Sequence, residues 1–199
     1  MRIYTPDRLK SLLVDDWENV TKNLQLVRLP SDKPASVILD EYFEVEKLKR
    51  RSGSPEADIL EEVVKGMKEY FNKSLGRILL YRFEREQFYD IHARMESPTG
   101  DLAGRTLADV YGGEHLLRLF GRHLSYLLST YTYDWTLVLV SMPELIAQTN
   151  MDNQSINRLR EELSSMLNWL SKDTNVNTYF ASTYESPGQE YTDKIRGVA

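Results

Sequence analysis

The 199-residue sequence contains no cysteine. Disulfides, thiolate metal sites and a cysteine nucleophile are therefore excluded, and the composition is compatible with a reducing compartment. Histidine is scarce: only His92, His115 and His123 are present, which narrows the scope for general-base and metal chemistry. His115 and His123 are eight positions apart, not the four that would place two ligands on one helical face. No HExxH, GxSxG or GxxxxGK[ST] pattern occurs, so zincin, hydrolase and phosphate-loop chemistries find no support. No stretch reaches the roughly 18 uncharged apolar residues of a membrane span, and Met1–Pro6 has no apolar signal core. Gly/Ser-rich tracts, repeats and low-complexity segments are also lacking, so no flexible interdomain linker is expected.

What is present is a globular composition, 41% hydrophobic and 28% charged, on a chain long enough for one domain with a proper core. The net charge of -5 gives no global field toward nucleic acid, so any such contact has to be local. Lys47, Lys49, Arg50 and Arg51 form the one basic run that fits a nucleic-acid or nuclear-import patch. A solvated helix end is the plainer reading of so short a run.

Helical periodicity dominates and predicts a single all-α domain. Thr5-Pro6-Asp7 reads as a helix start, with Thr5 as N-cap. Leu9, Leu13, Trp17, Val20 and Leu24 follow at three- and four-residue steps. A second helix is expected over about Ser36–Lys49, with Val37, Ile38, Tyr42 and Val45 inward. Ser54 is placed to cap a third, which carries Ile59 or Leu60, then Val63, Val64, Met67, Tyr70, Phe71 and Leu75, and stops at Gly76. Glu84–Met95 reads as helix, 96–104 as loop, and another helix starts near Gly113. The clearest pattern runs from Asp152 to Leu170; the tail after Lys172 reads as loop with a short docked end. The run Thr136–Val140 fits a strand or a buried helical turn, and periodicity alone does not decide between them.

Few polar residues converge on chemistry. Gly112-Gly113 before a helix has the form of an anion cradle, but such a pair is far more often just a tight turn. Glu84 lies between Arg82 and Arg85, and Glu161-Glu162 follows Arg158 and Arg160, so these carboxylates read as surface or partly buried ion pairs. The first helix stands out. At 100° per residue its apolar stripe fills about 80°, and Leu12 and Val14 widen it to roughly 200° where about 100° would suffice for one packed face. Either the helix is buried on two sides, or the flank around Leu13, Val14 and Trp17 receives an apolar peptide, a setting in which tryptophan serves well as a hot spot.

Leu13-Val14-Asp15-Asp16-Trp17, Leu29-Pro30, Ile38-Leu39-Asp40-Glu41-Tyr42, Glu62 to Gly66, Lys68 to Phe71, and Leu79-Leu80-Tyr81-Arg82-Phe83-Glu84-Arg85 occur in that order. Tyr111-Gly112-Gly113-Glu114-His115-Leu116-Leu117-Arg118-Leu119-Phe120, Pro143-Glu144-Leu145 and Asn150 to Leu163 follow. Together they resemble the MRG domain over nearly the whole chain, 5–196, and most of all its fungal branch, a subunit shared by a histone acetyltransferase and a histone deacetylase complex. The resemblance implies a non-catalytic nuclear scaffold without cofactor, metal or small-molecule substrate. Its partners would be protein subunits of those complexes, with chromatin contacted indirectly, in transcription regulation and DNA repair. It implies that a hydrophobic groove takes apolar partner peptides, through Leu13, Val14, Trp17, Tyr81, His115, Leu116 and Leu119.

Two departures from the family pattern carry expectations of their own. The sequence contains no chromodomain, so direct reading of histone methylation is not expected. In addition, Gly121–Leu139 interrupt a pattern that otherwise runs from Phe120 straight to Val140-Ser141-Met142-Pro143. These inserted residues read as a retained intron, which sequencing of the mature transcript checks.

Overall fold

The computed structural model describes residues 4–120, 152–180 and 184–197. The expected insertion at 121–139 and the ambiguous run Thr136–Val140 lie outside them. Among the described residues, eight α-helices and one pair of two-residue strands make up the regular structure, besides shorter helical turns. The expected all-α class holds.

Helix α1 (Asp7–Trp17) is capped one residue later than the sequence suggests. Pro6 is the cap, extended at ψ 144° and without a side-chain hydrogen bond. Its carbonyl accepts from the amides of Leu9 and Lys10. A wider helical turn follows at Glu18–Lys22, in which the Asn23 amide reaches back five residues to the Glu18 carbonyl at 2.9 Å. The chain then leaves the helix. Leu24, expected on the inward stripe, sits past this turn at φ 53° and is 43% exposed.

Helix α2 (Ala35–Lys47) buries Ile38, Leu39 and Tyr42. Val45, expected inward, faces solvent. At 100° per residue the centre of the buried stripe lies about 70° from Val45 but only about 30° from Glu46, and Glu46 is the residue buried. Helix α3 (Pro55–Ser74) starts at Ser54, whose hydroxyl accepts from the Ala57 amide. It buries Leu60, Val64, Met67 and Phe71 against α2. The helical path does not stop at Gly76 but continues as a wide turn over Leu75–Leu79. Gly76 answers a different need: a Cβ there would stand 2.6 Å from the Phe88 ring of α4 (Arg85–Glu96).

Helix α5 (Gly113–Arg118) is nearly all interior, with Gly113, Glu114, His115, Leu116 and Leu117 buried. The preceding glycines are packing residues. A Cβ on Gly113 would lie 2.5 Å from the Tyr179 carbonyl, and one on Gly112 would lie 2.4 Å from Ser31 Oγ. Helix α6 (Asn153–Leu170) begins where Asp152 Oδ1 accepts from the Ser155 amide at 2.8 Å. It presents Leu163, Met166, Leu167 and Leu170 to the core.

The tail is more ordered than its polar composition suggests. It holds α7 (Asp173–Tyr179) and α8 (Gln189–Gly197), with β2 (Tyr184–Glu185) between them. Strand β2 pairs antiparallel with β1 (Leu26–Val27), Leu26 opposite Glu185 and Val27 opposite Tyr184. The main core runs from Leu9 of α1 through α2, α3, α5 and α6 to Tyr179 of α7. A smaller cluster of Val20, Leu26 and Phe83 lies beside it, covered by Tyr81, Tyr184, Tyr191 and Ile195.

Candidate functional site

Arg118 closes α5 with its side chain 5% exposed. A guanidinium carries five N–H donors in a fixed plane, and here all five are used. Nε donates to Asp16 Oδ2 at 2.7 Å and Nη2 to Asp16 Oδ1 at 2.8 Å. Nη2 also donates to Glu84 Oε1 at 3.1 Å, and Nη1 to Glu84 Oε2 at 2.6 Å. The last Nη1 proton goes to the Leu79 carbonyl at 2.9 Å. One face of the group lies on the Tyr81 ring, 4.3 Å from its centroid, a cation–π contact.

The two carboxylates are themselves completed by other elements. Tyr184 of β2 donates its hydroxyl to Asp16 Oδ1 at 2.9 Å. The Tyr81 amide donates to Glu84 Oε2 at 2.8 Å, and His115 Nε2 lies 2.9 Å from Glu84 Oε1. Burial pushes the Glu84 carboxyl up, but the charges and hydrogen bonds of Arg118 and His115 outweigh it and hold the group at about 2. Burial works against the Arg118 cation too, and Asp16 and Glu84 more than compensate, raising it well above its ordinary value. Burial also raises the Tyr184 hydroxyl, and the neighbouring Asp16 and Glu114 charges add to the effect. Buried ions are tolerated only when paired and hydrogen-bonded in this way.

This arrangement ties α1 to the turn that carries Tyr81. Asp16 immediately precedes Trp17, and Leu79 and Glu84 bracket Tyr81. Of the seven expected groove residues, Val14, Trp17 and Tyr81 are partly exposed. Leu13 is 5% exposed at their base. His115, Leu116 and Leu119 are interior, at 0%, 0% and 2%. His115 packs edge-on to Tyr111, ring centroids 4.8 Å apart. Lys22 Nζ stands 4.6 Å from the centroid of the Trp17 ring.

The sequence reading passed over Asp16, Arg118 and Tyr184 and assigned Glu84 to the wrong partners. Glu84 is 1% exposed and pairs with Arg118 and His115, not with the adjacent Arg82 and Arg85. A usable signal was there: an arginine within Leu116-Leu117-Arg118-Leu119-Phe120 and an aspartate between Val14 and Trp17 stand on apolar helix faces. A charge so placed calls for a partner of opposite sign from elsewhere in the chain.

The basic run is largely engaged within the fold. Arg50 donates to Glu162 Oε2 at 2.7 Å and to the Glu56 carbonyl. Lys49 pairs with Glu46 at 2.5 Å, and Lys47 lies over the Phe43 ring at 5.0 Å. Among the described residues no group of three or more His, Asp or Glu could hold a metal ion. No described helix is long and apolar enough to cross a membrane.

The sequence profile of the MRG family matches residues 1–138 and 136–186. The chromatin modification-related protein eaf3 of Emericella nidulans is 54% identical over 198 residues, covering 100% of this chain and 53% of that protein. The protein of the same name in Aspergillus fumigatus is 51% identical, covering 99% of this chain and 53% of its own length. Human mortality factor 4-like protein 1 is 34% identical over 194 residues, 98% of this chain and 46% of its own. The chain thus spans about half the length of these relatives, and the matches run through the segments that build the Arg118 cluster and its neighbours. On its sequence and its helical architecture together, the chain belongs to the MRG family.

Proposed function

We propose that this chain is a non-catalytic scaffold of nuclear chromatin-modifying complexes, of the histone acetyltransferase and deacetylase kind, acting in transcription and DNA repair. Its contact with partner subunits is an apolar groove formed by Leu13, Val14, Trp17 and Tyr81. His115, Leu116 and Leu119 support that groove from the interior. The names of the relatives, chromatin modification-related protein and mortality factor 4-like protein, support the chromatin role. The observation that carries the groove reading is the clamp of Arg118 between Asp16 and Tyr81. It holds two partly exposed aromatic residues from different elements in a fixed relation, and rigid aromatic anchors suit hot-spot recognition.

The test is capture of partners from nuclear extract by the chain and by its Trp17→Ala variant. Subunits of acetyltransferase or deacetylase complexes held by the first and lost by the second are the expected result. Equal capture by both would remove the groove from the reading. The competing reading, nucleic-acid binding through Lys47–Arg51, is weakened because Lys47, Lys49 and Arg50 already have intramolecular partners. Salt-sensitive DNA binding that disappears on neutralising those residues would restore it.

A further inference from the structure

The last helix lies on an apolar surface of its own. Val20, Leu26 and Phe83 form the small cluster beside the main core, and all three are buried. Helix α8 covers this cluster with two side chains, Tyr191 and Ile195, four positions apart and so on one helical face. The Tyr191 ring meets Phe83 edge-on with centroids 5.5 Å apart, and its hydroxyl donates to the Phe83 carbonyl at 2.5 Å. That hydroxyl also accepts from the Gln87 amide at 3.2 Å. Beside the two anchors, Lys194 Nζ stands 3.5 Å from Glu86 Oε1. Tyr81 packs on the same cluster, which makes this surface continuous with the proposed groove.

The surface and its cover are held unequally. Val20 lies in the wide turn that continues α1, Leu26 is fixed by the pairing of β1 with β2, and Phe83 adjoins Glu84 of the Arg118 cluster. None of these attachments passes through α8. The helix has only nine residues, and an isolated helix shorter than about 12–15 residues is marginal in water. Among its described side chains none is fully buried. Its ion pair to Glu86 is half-exposed, a kind of contact that adds little. Ser186-Pro187-Gly188 is its only tether to β2. An element with so few buried apolar contacts opens at the low end of the local-unfolding range, and opening here uncovers a preformed apolar surface.

We propose that this surface is a docking site for an amphipathic helix, occupied by α8 of the same chain until a partner helix displaces it. The occupant shows the chemistry required. It is an aromatic residue with a polar tip for the Phe83 carbonyl, an aliphatic residue four positions later and a cation toward Glu86, on an otherwise polar helix. The inference rests on the groove reading only for the identity of the partner, and its test makes no use of Trp17.

The test uses the full chain and its Tyr191→Ala/Ile195→Ala variant, which releases the cover without removing it. The probe is a synthetic peptide with the sequence of Pro187–Ala199, and the control peptide carries the same two alanines. Amide and methyl NMR shifts at Val20, Leu26 and Phe83 are the readout. The variant is expected to stay folded and to bind the probe saturably at those residues, and not to bind the control. Binding to the parent is expected to be weaker by about tenfold or more, because a site open about a tenth of the time or less raises the apparent Kd by that factor. In the parent, the amides of α8 are expected to exchange with solvent much faster than those of α6, without global unfolding. A variant that fails to fold, or α8 amides as protected as those of α6, would make α8 an integral element and overturn the proposal. Equal affinity of the probe for variant and parent, shifts that map elsewhere, or no binding to the folded variant would overturn it too. Failed probe binding alongside capture that still depends on Trp17 would sink this inference alone. Probe binding as expected, with equal capture by the Trp17→Ala variant, would sink only the groove reading.

Discussion

Arg118 and Asp16 meet edge to edge across 102 residues of sequence, Nε to Oδ2 at 2.7 Å and Nη2 to Oδ1 at 2.8 Å. The pair joins the last helix before residue 121 to the first helix of the chain. The same guanidinium also holds Glu84 and lies on Tyr81, so one side chain contacts both the residue before Trp17 and Tyr81 itself.

Replacing that side chain separates charge from geometry. Arg118→Met leaves Asp16 and Glu84 buried without a cation, and breaking such a pair costs about 3–5 kcal/mol. Arg118→Lys keeps the charge but has three donors on a single nitrogen, which cannot span two carboxylates and a carbonyl in one plane. Chemical denaturation is expected to rank the parent above Arg118→Lys and Arg118→Lys above Arg118→Met. Equal stability of the Lys variant and the parent would show that charge alone sets the clamp.

The same cluster predicts the acid limb of stability. Glu84 is held at about 2 in the folded chain against an ordinary value of 4.5. Its contribution is therefore complete above about pH 4.5 and is lost as pH falls from there toward 2. The difference corresponds to roughly 3 kcal/mol at neutral pH. Urea unfolding between pH 6 and 2.5 should show the decline, and a Glu84→Gln variant, less stable at pH 7, should show a shallower one. Since the group is 1% exposed, raising the salt should change the limb little.

Most of the helical frame was legible in the sequence because apolar spacing reports which face is buried. Leu60, Val64, Met67 and Phe71, like Leu163, Met166, Leu167 and Leu170, sit where their periodicity puts them. The failures have local physical causes. The wide turns at Glu18–Lys22 and Leu75–Leu79 change helical phase, which displaced Leu24 and moved the predicted stop away from Gly76. The tail formed helices despite its polar composition because Tyr179, Tyr184 and Tyr191 find hydrogen-bond partners far off in the chain. The charged cluster was invisible to periodicity, since Asp16 and Glu84 meet Arg118 only after the fold has brought three elements together.

Two glycines of opposite context test how tightly α5 is seated. A Cβ on Gly113 would stand 2.5 Å from the Tyr179 carbonyl, which is backbone and cannot rotate away. Gly113→Ala should cost about 1–3 kcal/mol through overpacking. Gly66, inside α3, has nothing within 4 Å of the same position, so Gly66→Ala should stabilise by about 0.5–1 kcal/mol. Thermal melts of the two variants are expected to move in opposite directions. A melting temperature unchanged in Gly113→Ala would mean that α5 and α7 can separate without penalty.

Burial divides the seven expected groove residues into two groups with different mutational signatures. Trp17 is partly exposed on α1, and Trp17→Ala removes a surface anchor. It should reduce partner affinity by about 2 kcal/mol or more, as hot-spot truncations do, with a small change in melting temperature. Leu116 is fully buried, and Leu116→Ala opens a cavity worth about 2–5 kcal/mol of stability. Its loss of binding should then follow the fraction of unfolded chain and recover as temperature is lowered below the shifted melting point. Calorimetric titration with a captured partner at two temperatures, alongside the melts, separates the cases. A Leu116→Ala chain that is fully folded yet binds weakly would place Leu116 in direct contact with the partner.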